Sequence, residues 1–220
     1  MSLHDVKEKY QNTKIGVIPI DWQLKKISDI ANVNANNLNT NTPVKYQFYY
    51  YDVSAVDKGK IFHPNEKITF GQAPSRAKRI FQKNDVLMST VRPNLQGFGY
   101  VDFDSTDCVC STGFAVISGK QKSDSLYIYH NLFSNIITNQ INKLIVGSNY
   151  PAITARDVEN MQIPYPSDIN ERKKISSILS TWDKAIELKE KLIEQKKEQK
   201  KGLMQKLLTG EVRLPGFDGE

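Results

Sequence analysis

From Asp168 to Thr209 the chain contains no proline and a single glycine, Gly202. Such a run reads as one long helix, because nothing in it breaks the i to i−4 hydrogen-bond ladder. Asp168 with Glu171 three residues later resembles a capping box, with Asp in place of the usual Ser or Thr. Ile175, Leu179, Trp182, Ile186, Ile193, Leu203 and Leu207 follow heptad spacing. The same two lines also hold Lys189, Lys196 and Lys200, so the seam is apolar at its ends and polar in its middle. At 1.5 Å per residue the run extends roughly 63 Å. The domain before it is expected to be about 35–40 Å across by compactness scaling. The outer part of the helix therefore calls for a partner. Pairs such as Glu187–Lys191 contribute only about 0.3–0.5 kcal/mol each. They do not account for Leu203, Met204, Leu207 and Leu208 at the far end.

Residues 1–167 have a different composition, rich in Asn, Tyr, Val and Ile and punctuated by Gly and Pro. They read as a mixed α/β domain. Strands are expected at Tyr46–Val53, Lys60–Phe62, Asp85–Arg92, Gly99–Phe103 and Thr112–Ile117. Ser125–Asn142 carries apolar residues at helical spacing and predicts one amphipathic helix. A short element begins at Pro151. Met161–Pro166 is expected to close the domain without further regular structure, because of its two prolines. The fold class is thus α+β: a domain over 1–167, a spacer helix over 168–210, and a tail over 211–220.

No stretch approaches the roughly 20 apolar residues of a membrane span. The N-terminus lacks the apolar block of a secretory signal. A soluble, cytoplasmic protein is expected. The two cysteines lie in a Cys108-Val-Cys110 run and would share one face of a strand. They read as small buried hydrophobes rather than as a disulfide framework or a metal site. No metal site is expected, since His4, His63 and His130 are scattered.

The net charge of +6 is concentrated. Residues 58–92 hold eight basic side chains against Glu66 and Asp85, so the rest of the chain is neutral overall. Arginine and lysine neutralise phosphates, and arginine also forks onto guanine. The candidate DNA-binding residues are Lys58, Lys60, Ser75, Arg76, Lys78, Arg79, Arg92, Asn94, Ser148, Asn149 and Tyr150. The candidate helix-partner residues are the seven apolar seam positions.

Catalytic lettering is missing. There is no GxxxxGK[ST] phosphate loop. Gly97-Phe-Gly99 is a lone GxG and reads as a turn. Ser89 and Ser111 show no triad arrangement. Ser167-Asp168 followed by Glu171-Arg-Lys173 falls on one helix start, whereas a metal nuclease gathers its carboxylates and lysine from separate strands. Ile163-Pro-Tyr-Pro166 has the wrong order for an amino-methylation pocket. No catalytic residue is assigned.

Several stretches, taken in order, resemble the specificity (S) subunits of type I restriction-modification enzymes. Tyr10–Trp22 and Ile27–Ile30 resemble the opening of a target-recognition domain. Ser75–Arg79, Asp85–Asn94 and Ser111–Phe114 resemble its middle. Gly147–Thr154 and Ile163–Pro166 resemble its end, and Lys201–Gly210 resembles the end of the family's helical spacer.

The resemblance implies a non-catalytic subunit. Its globular domain would grip one half of a split double-stranded DNA site. Its long helix would pair antiparallel with a second helix and dock methyltransferase (M) subunits. S-adenosylmethionine, ATP and Mg would belong to partner subunits, including a motor-nuclease (R) subunit. The family pattern has two recognition domains and two spacer helices, whereas this sequence has one of each. Either two copies form a homodimer, or this is one half of a longer chain. Leu214-Pro-Gly-Phe217 looks like the lead-in to a further domain, as Ile18-Pro-Ile-Asp-Trp22 leads into this one. Two other readings stay open here: a stand-alone nucleic-acid-processing enzyme, and a coiled-coil adaptor without DNA contact.

Overall fold

A computed structural model describes residues 9–145 and 150–217. In chain order it contains β1 (Tyr10–Thr13), β2 (Gly16–Pro19), β3 (Trp22–Lys26), α1 (Ile27–Ile30), β4 (Ala31–Val33) and β5 (Gln47–Tyr51). Next come β6 (Val56–Asp57), β7 (Lys60–Ile61), β8 (Ile68–Thr69), β9 (Ala77–Ile80), β10 (Val86–Ser89), β11 (Phe98–Tyr100), β12 (Cys108–Ser111) and β13 (Phe114–Gly119). The remaining elements are α2 (Lys122–Leu132), α3 (Asn135–Leu144), α4 (Ala155–Asn160), β14 (Gln162–Pro166) and α5 (Ile169–Leu208). The chain divides into two compact units at Ser176/Ser177, so the first turns of α5 belong to the globular unit.

Two four-stranded sheets build the globular unit. One is antiparallel, in the order β11-β10-β13-β4; the other has the order β8-β5-β12-β9 and one parallel pair, β5 with β12. β10 and β13 sit centrally and are buried on both faces, which explains their unbroken apolar lettering. Their side chains alternate. Val86, Met88, Ala115 and Ile117 pack with helix residues such as Tyr127, Ile128 and Leu132. Leu87, Phe114 and Val116 face the other sheet and meet Tyr51, Cys108 and Cys110. Both cysteines are free, buried and on that face, while Val109 between them joins a third cluster with Leu38 and Phe48.

Two expectations are corrected. The predicted helix over Ser125–Asn142 is two helices. Ser134 has extended backbone and caps α3, its Oγ accepting from Ile137 N at 3.4 Å. The unbroken apolar periodicity concealed this cap, whose hydroxyl competes with the ladder.

Met161–Pro166, read as irregular, holds strand β14, which pairs antiparallel with β3. The prolines are tolerated because β14 is an edge strand. Alternate carbonyls turn away from β3 and meet side chains. Gln140 Nε2 donates to Gln162 O (2.8 Å), Tyr127 Oη to Pro164 O (2.8 Å), and Arg172 Nη1 to Pro166 O (2.7 Å). The missing N–H groups of Pro164 and Pro166 fall on that outer side, where no strand needs them.

The long helix forms over Ile169–Leu208. Asp168 Oδ1 accepts from Asn170 N (2.8 Å), so its capping role is as expected. The helix ends at Gly210, whose φ of 74° is the left-handed conformation usual at a helix terminus. The i,i+4 pair forms, with Lys191 Nζ 2.6 Å from Glu187 Oε1.

Candidate nucleic-acid interface

Four segments converge on one cleft of about 630 Å³. The first is the β6–β7 hairpin. Its two-residue turn has positive φ at Lys58 (42°) and Gly59 (90°), as the tight hairpin turn requires. Lys58 N donates to Gln96 O (3.2 Å) and Gly59 N to Phe98 O (2.8 Å), which holds the turn against β11. A Cβ on Gly99 would lie 2.6 Å from Ile61 Cγ1. Gly97-Phe-Gly99, read as a turn, is thus the entry to β11 and supplies the bare backbone on which the hairpin rests.

The second segment is the loop after β10. Arg92 takes left-handed backbone (φ 49°, ψ 53°), uncommon outside glycine, and leads into the 3-10 turn Pro93–Leu95. The third is Tyr150–Ile153. Arg92 N donates to Pro151 O (2.8 Å) and Ile153 N donates to Thr90 O (2.9 Å), stitching it to the second. The Arg92 guanidinium lies 5.0 Å from the centre of the Tyr150 ring, within cation–π range. The fourth is Arg76, at the entrance to β9, whose carbonyl accepts from Thr112 N (2.8 Å).

The structure separates the sequence candidates into groups. Arg76, Arg92 and Tyr150 line the cleft. Lys58, Lys60, Ser75 and Asn94 lie on the segments that form it or next to them, and Lys58, Lys60, Ser75, Arg76, Asn94 and Tyr150 are exposed. Lys78 and Arg79 are not among the side chains lining the cleft. Lys78 Nζ sits 5.4 Å from the Phe70 ring centre. Arg79 is part-buried on β9 opposite Cys110, and burial lowers its pKa. Ser148 and Asn149 lie outside the described residues.

Ser54, Asp57, Phe62 and Leu95 also line the cleft, and sequence reasoning missed them. The signal that could have found Asp57 was the Asp-Lys-Gly-Lys turn itself.

Along α5, Leu179, Trp182, Ile186, Ile193, Leu203 and Leu207 are exposed, Trp182 by 67%. Ile175 differs: it is part-buried and packs against the globular core. Among the described residues no group of three His, Cys, Asp or Glu could hold a metal ion. No described helix is long and apolar enough to cross a membrane.

The family model for the type I restriction modification DNA specificity domain matches residues 19–198. The chain belongs to that family. The matched span of this specificity domain contains every described residue of the cleft and α5 as far as Glu198.

Among curated proteins it resembles two specificity subunits of Methanocaldococcus jannaschii. With that of MjaIX it shares 28% identity over 83% of this chain and 43% of the relative. With that of MjaVIII it shares 25% over 96% of this chain and 51% of the relative. The chain thus spans about half the length of these relatives.

Among solved structures, the HsdS subunit from Thermoanaerobacter tengcongensis matches with a TM-score of 0.66 and 29% identity, over 92% of this chain and 52% of that one. A chain from a structure on complex assembly and conformational transition of the type I R-M system matches with a TM-score of 0.69 and 28% identity, with the same coverage. The S subunit from M. genitalium, at 17% identity and a TM-score of 0.58, shares the fold.

Proposed function

We propose that this chain is a DNA sequence-recognition subunit of a type I restriction-modification complex. Its globular unit binds one half of a bipartite double-stranded site. It performs no chemical step itself. S-adenosylmethionine, ATP and Mg serve the methyltransferase and motor-nuclease partners. The observation that carries this reading is the convergence of Arg76 and of Arg92 over Tyr150 on one open cleft, beside Lys58, in a chain of this family. Guanidinium groups there can meet phosphates or fork onto guanine, and the tyrosine offers a stacking face.

The helix supports a two-fold homodimer, with methyltransferase subunits docking along the helix pair. Aligned antiparallel with itself, the seam sets Leu179 opposite the second copy's Leu203. Trp182 meets Lys200, Ile186 meets Lys196, and Lys189 meets Ile193. Each of these lysines faces an apolar side chain that its stem can cover while the ammonium reaches water. Parallel pairing would stack all three lysines on their own copies. A two-fold pair implies a palindromic split site.

The test is a pull-down with the cognate methyltransferase subunit, together with binding to bipartite duplex DNA. Loss of both by a folded chain would overturn the reading. S-adenosylmethionine- or metal-dependent turnover by the chain alone would favour a stand-alone enzyme instead.

A further inference from the structure

Three charged side chains line the cleft: Arg76, Arg92 and Asp57. The arginines suit a polyanion, whereas Asp57 works against one. Other acids nearby have structural tasks. Asp52 Oδ1 accepts from Ser54 N (2.9 Å) and Ser54 Oγ (2.7 Å), and Asp107 Oδ2 pairs with Lys67 Nζ at 3.0 Å. The Asp57 carboxylate is exposed and makes no such bond among the described residues.

Its backbone is nonetheless fixed. Asp57 pairs with Lys60 across the Lys58–Gly59 turn, and that turn is bonded to Gln96 and Phe98. A carboxylate held in this way repels phosphate, so backbone contact does not explain it. A base edge does. An ionised carboxylate only accepts hydrogen bonds, and the exposed major-groove donors are the amino groups of cytosine and adenine. Adenine sets its donor beside the N7 acceptor, an edge that matches an amide. Cytosine presents N4–H₂ alone, which matches a carboxylate.

We infer that Asp57 is a specificity-determining residue that accepts a hydrogen bond from the N4 amino group of a cytosine in the half-site. The inference rests on the DNA-recognition reading above. Arg76 and Arg92 supply the attraction that holds the duplex close enough for Asp57 to select.

The test is selection of bound duplexes from a pool with randomised half-sites, using the full chain with its cognate methyltransferase subunit. Wild type is compared with Asp57→Asn and Asp57→Ala. Asparagine also suits the first position of such a turn, so Asp57→Asn isolates the charge. Matching thermal melts establish that both variants fold.

At one C·G position of the wild-type half-site, preference for cytosine should fall about tenfold or more in both variants. Asp57→Asn should admit adenine there, and affinity for random duplex should stay level or rise. An unchanged selected motif, or a loss spread evenly over all positions, would overturn the role of Asp57 and leave DNA recognition standing. A wild-type chain that enriches no sequence would overturn both.

Discussion

Arg172 Nε stands 3.3 Å from Asp124 Oδ1, with both side chains almost wholly buried. Around them Tyr165 Oη donates to Asp124 Oδ1 (2.8 Å), and the guanidinium lies 4.2 Å from the Tyr165 ring centre. Arg172 also reaches the carbonyls of Pro166 (2.7 Å) and Ser167 (3.2 Å). Arg172 sits in the first turns of α5, Asp124 in α2, and Tyr165 and Pro166 in β14. The root of the long helix is therefore fixed to the globular unit by one hydrogen-bonded ion pair.

Breaking that pair from one side strands a buried charge. Arg172→Met is expected to cost about 3–5 kcal/mol. Adding Asp124→Leu should cost less than its separate effect predicts, because no unpaired charge then remains. Urea unfolding of the two single variants and the double variant measures this coupling. A destabilisation below about 1 kcal/mol for Arg172→Met would contradict the anchoring role.

Alkaline pH should loosen the same region. Burial pushes the Tyr127 and Tyr165 pKa values up to about 12 from an ordinary 10.0. Between those values the unfolded chain has released protons that the folded chain still holds. Stability is thus full below pH 10.0 and is lost as pH rises toward about 12. Denaturant midpoints followed through this window should fall, and replacing both tyrosines by phenylalanine should flatten the decline.

The arginines should divide by location. Arg76→Ala and Arg92→Ala are each expected to weaken duplex binding and to lower the salt slope by about one for each phosphate no longer neutralised. Arg79→Ala should act mainly on stability, because Arg79 is part-buried on β9. Fluorescence anisotropy across a salt series, set beside thermal melts, distinguishes these effects. Equally weakened binding in all three variants, at unchanged stability, would contradict the division.

The helix pairing fixes which residues can be cross-linked. A Leu179→Cys, Leu203→Cys double variant should form a covalent dimer on oxidation, while Leu203→Cys alone should not. The native Cys108 and Cys110 are buried and do not compete. Leu203→Asp with Leu207→Asp should reduce the dimer, since apolar seam ends would become charged. Light scattering that shows a wild-type monomer would rule out the homodimer, whereas a dimer with another cross-linking pattern would rule out only this alignment.

Much of the architecture could be read from local lettering. The Pro-free run capped by Asp168 forms a helix over Ile169–Leu208 because each turn depends only on residues three or four positions away. The alternation in Phe114–Ile117 and Cys108–Cys110 appears as two-faced burial because successive strand side chains point to opposite sides. The basic run over 58–92 pointed to the right region. It could not separate Arg76, exposed at a strand entrance, from Arg79, part-buried three residues later on β9.

The sequence by itself determined the long helix, the strand cores and the place of positive charge, since periodicity and composition are properties of neighbours along the chain. Only the tertiary structure decided that Pro164 and Pro166 belong to a strand, because its outer edge is satisfied by Gln140, Tyr127 and Arg172 from distant elements. Only the tertiary structure, too, brought Asp57, Arg76, Arg92 and Tyr150 to one cleft. Those residues are far apart in sequence, and the sheet packing and the backbone bonds between their segments set where they meet.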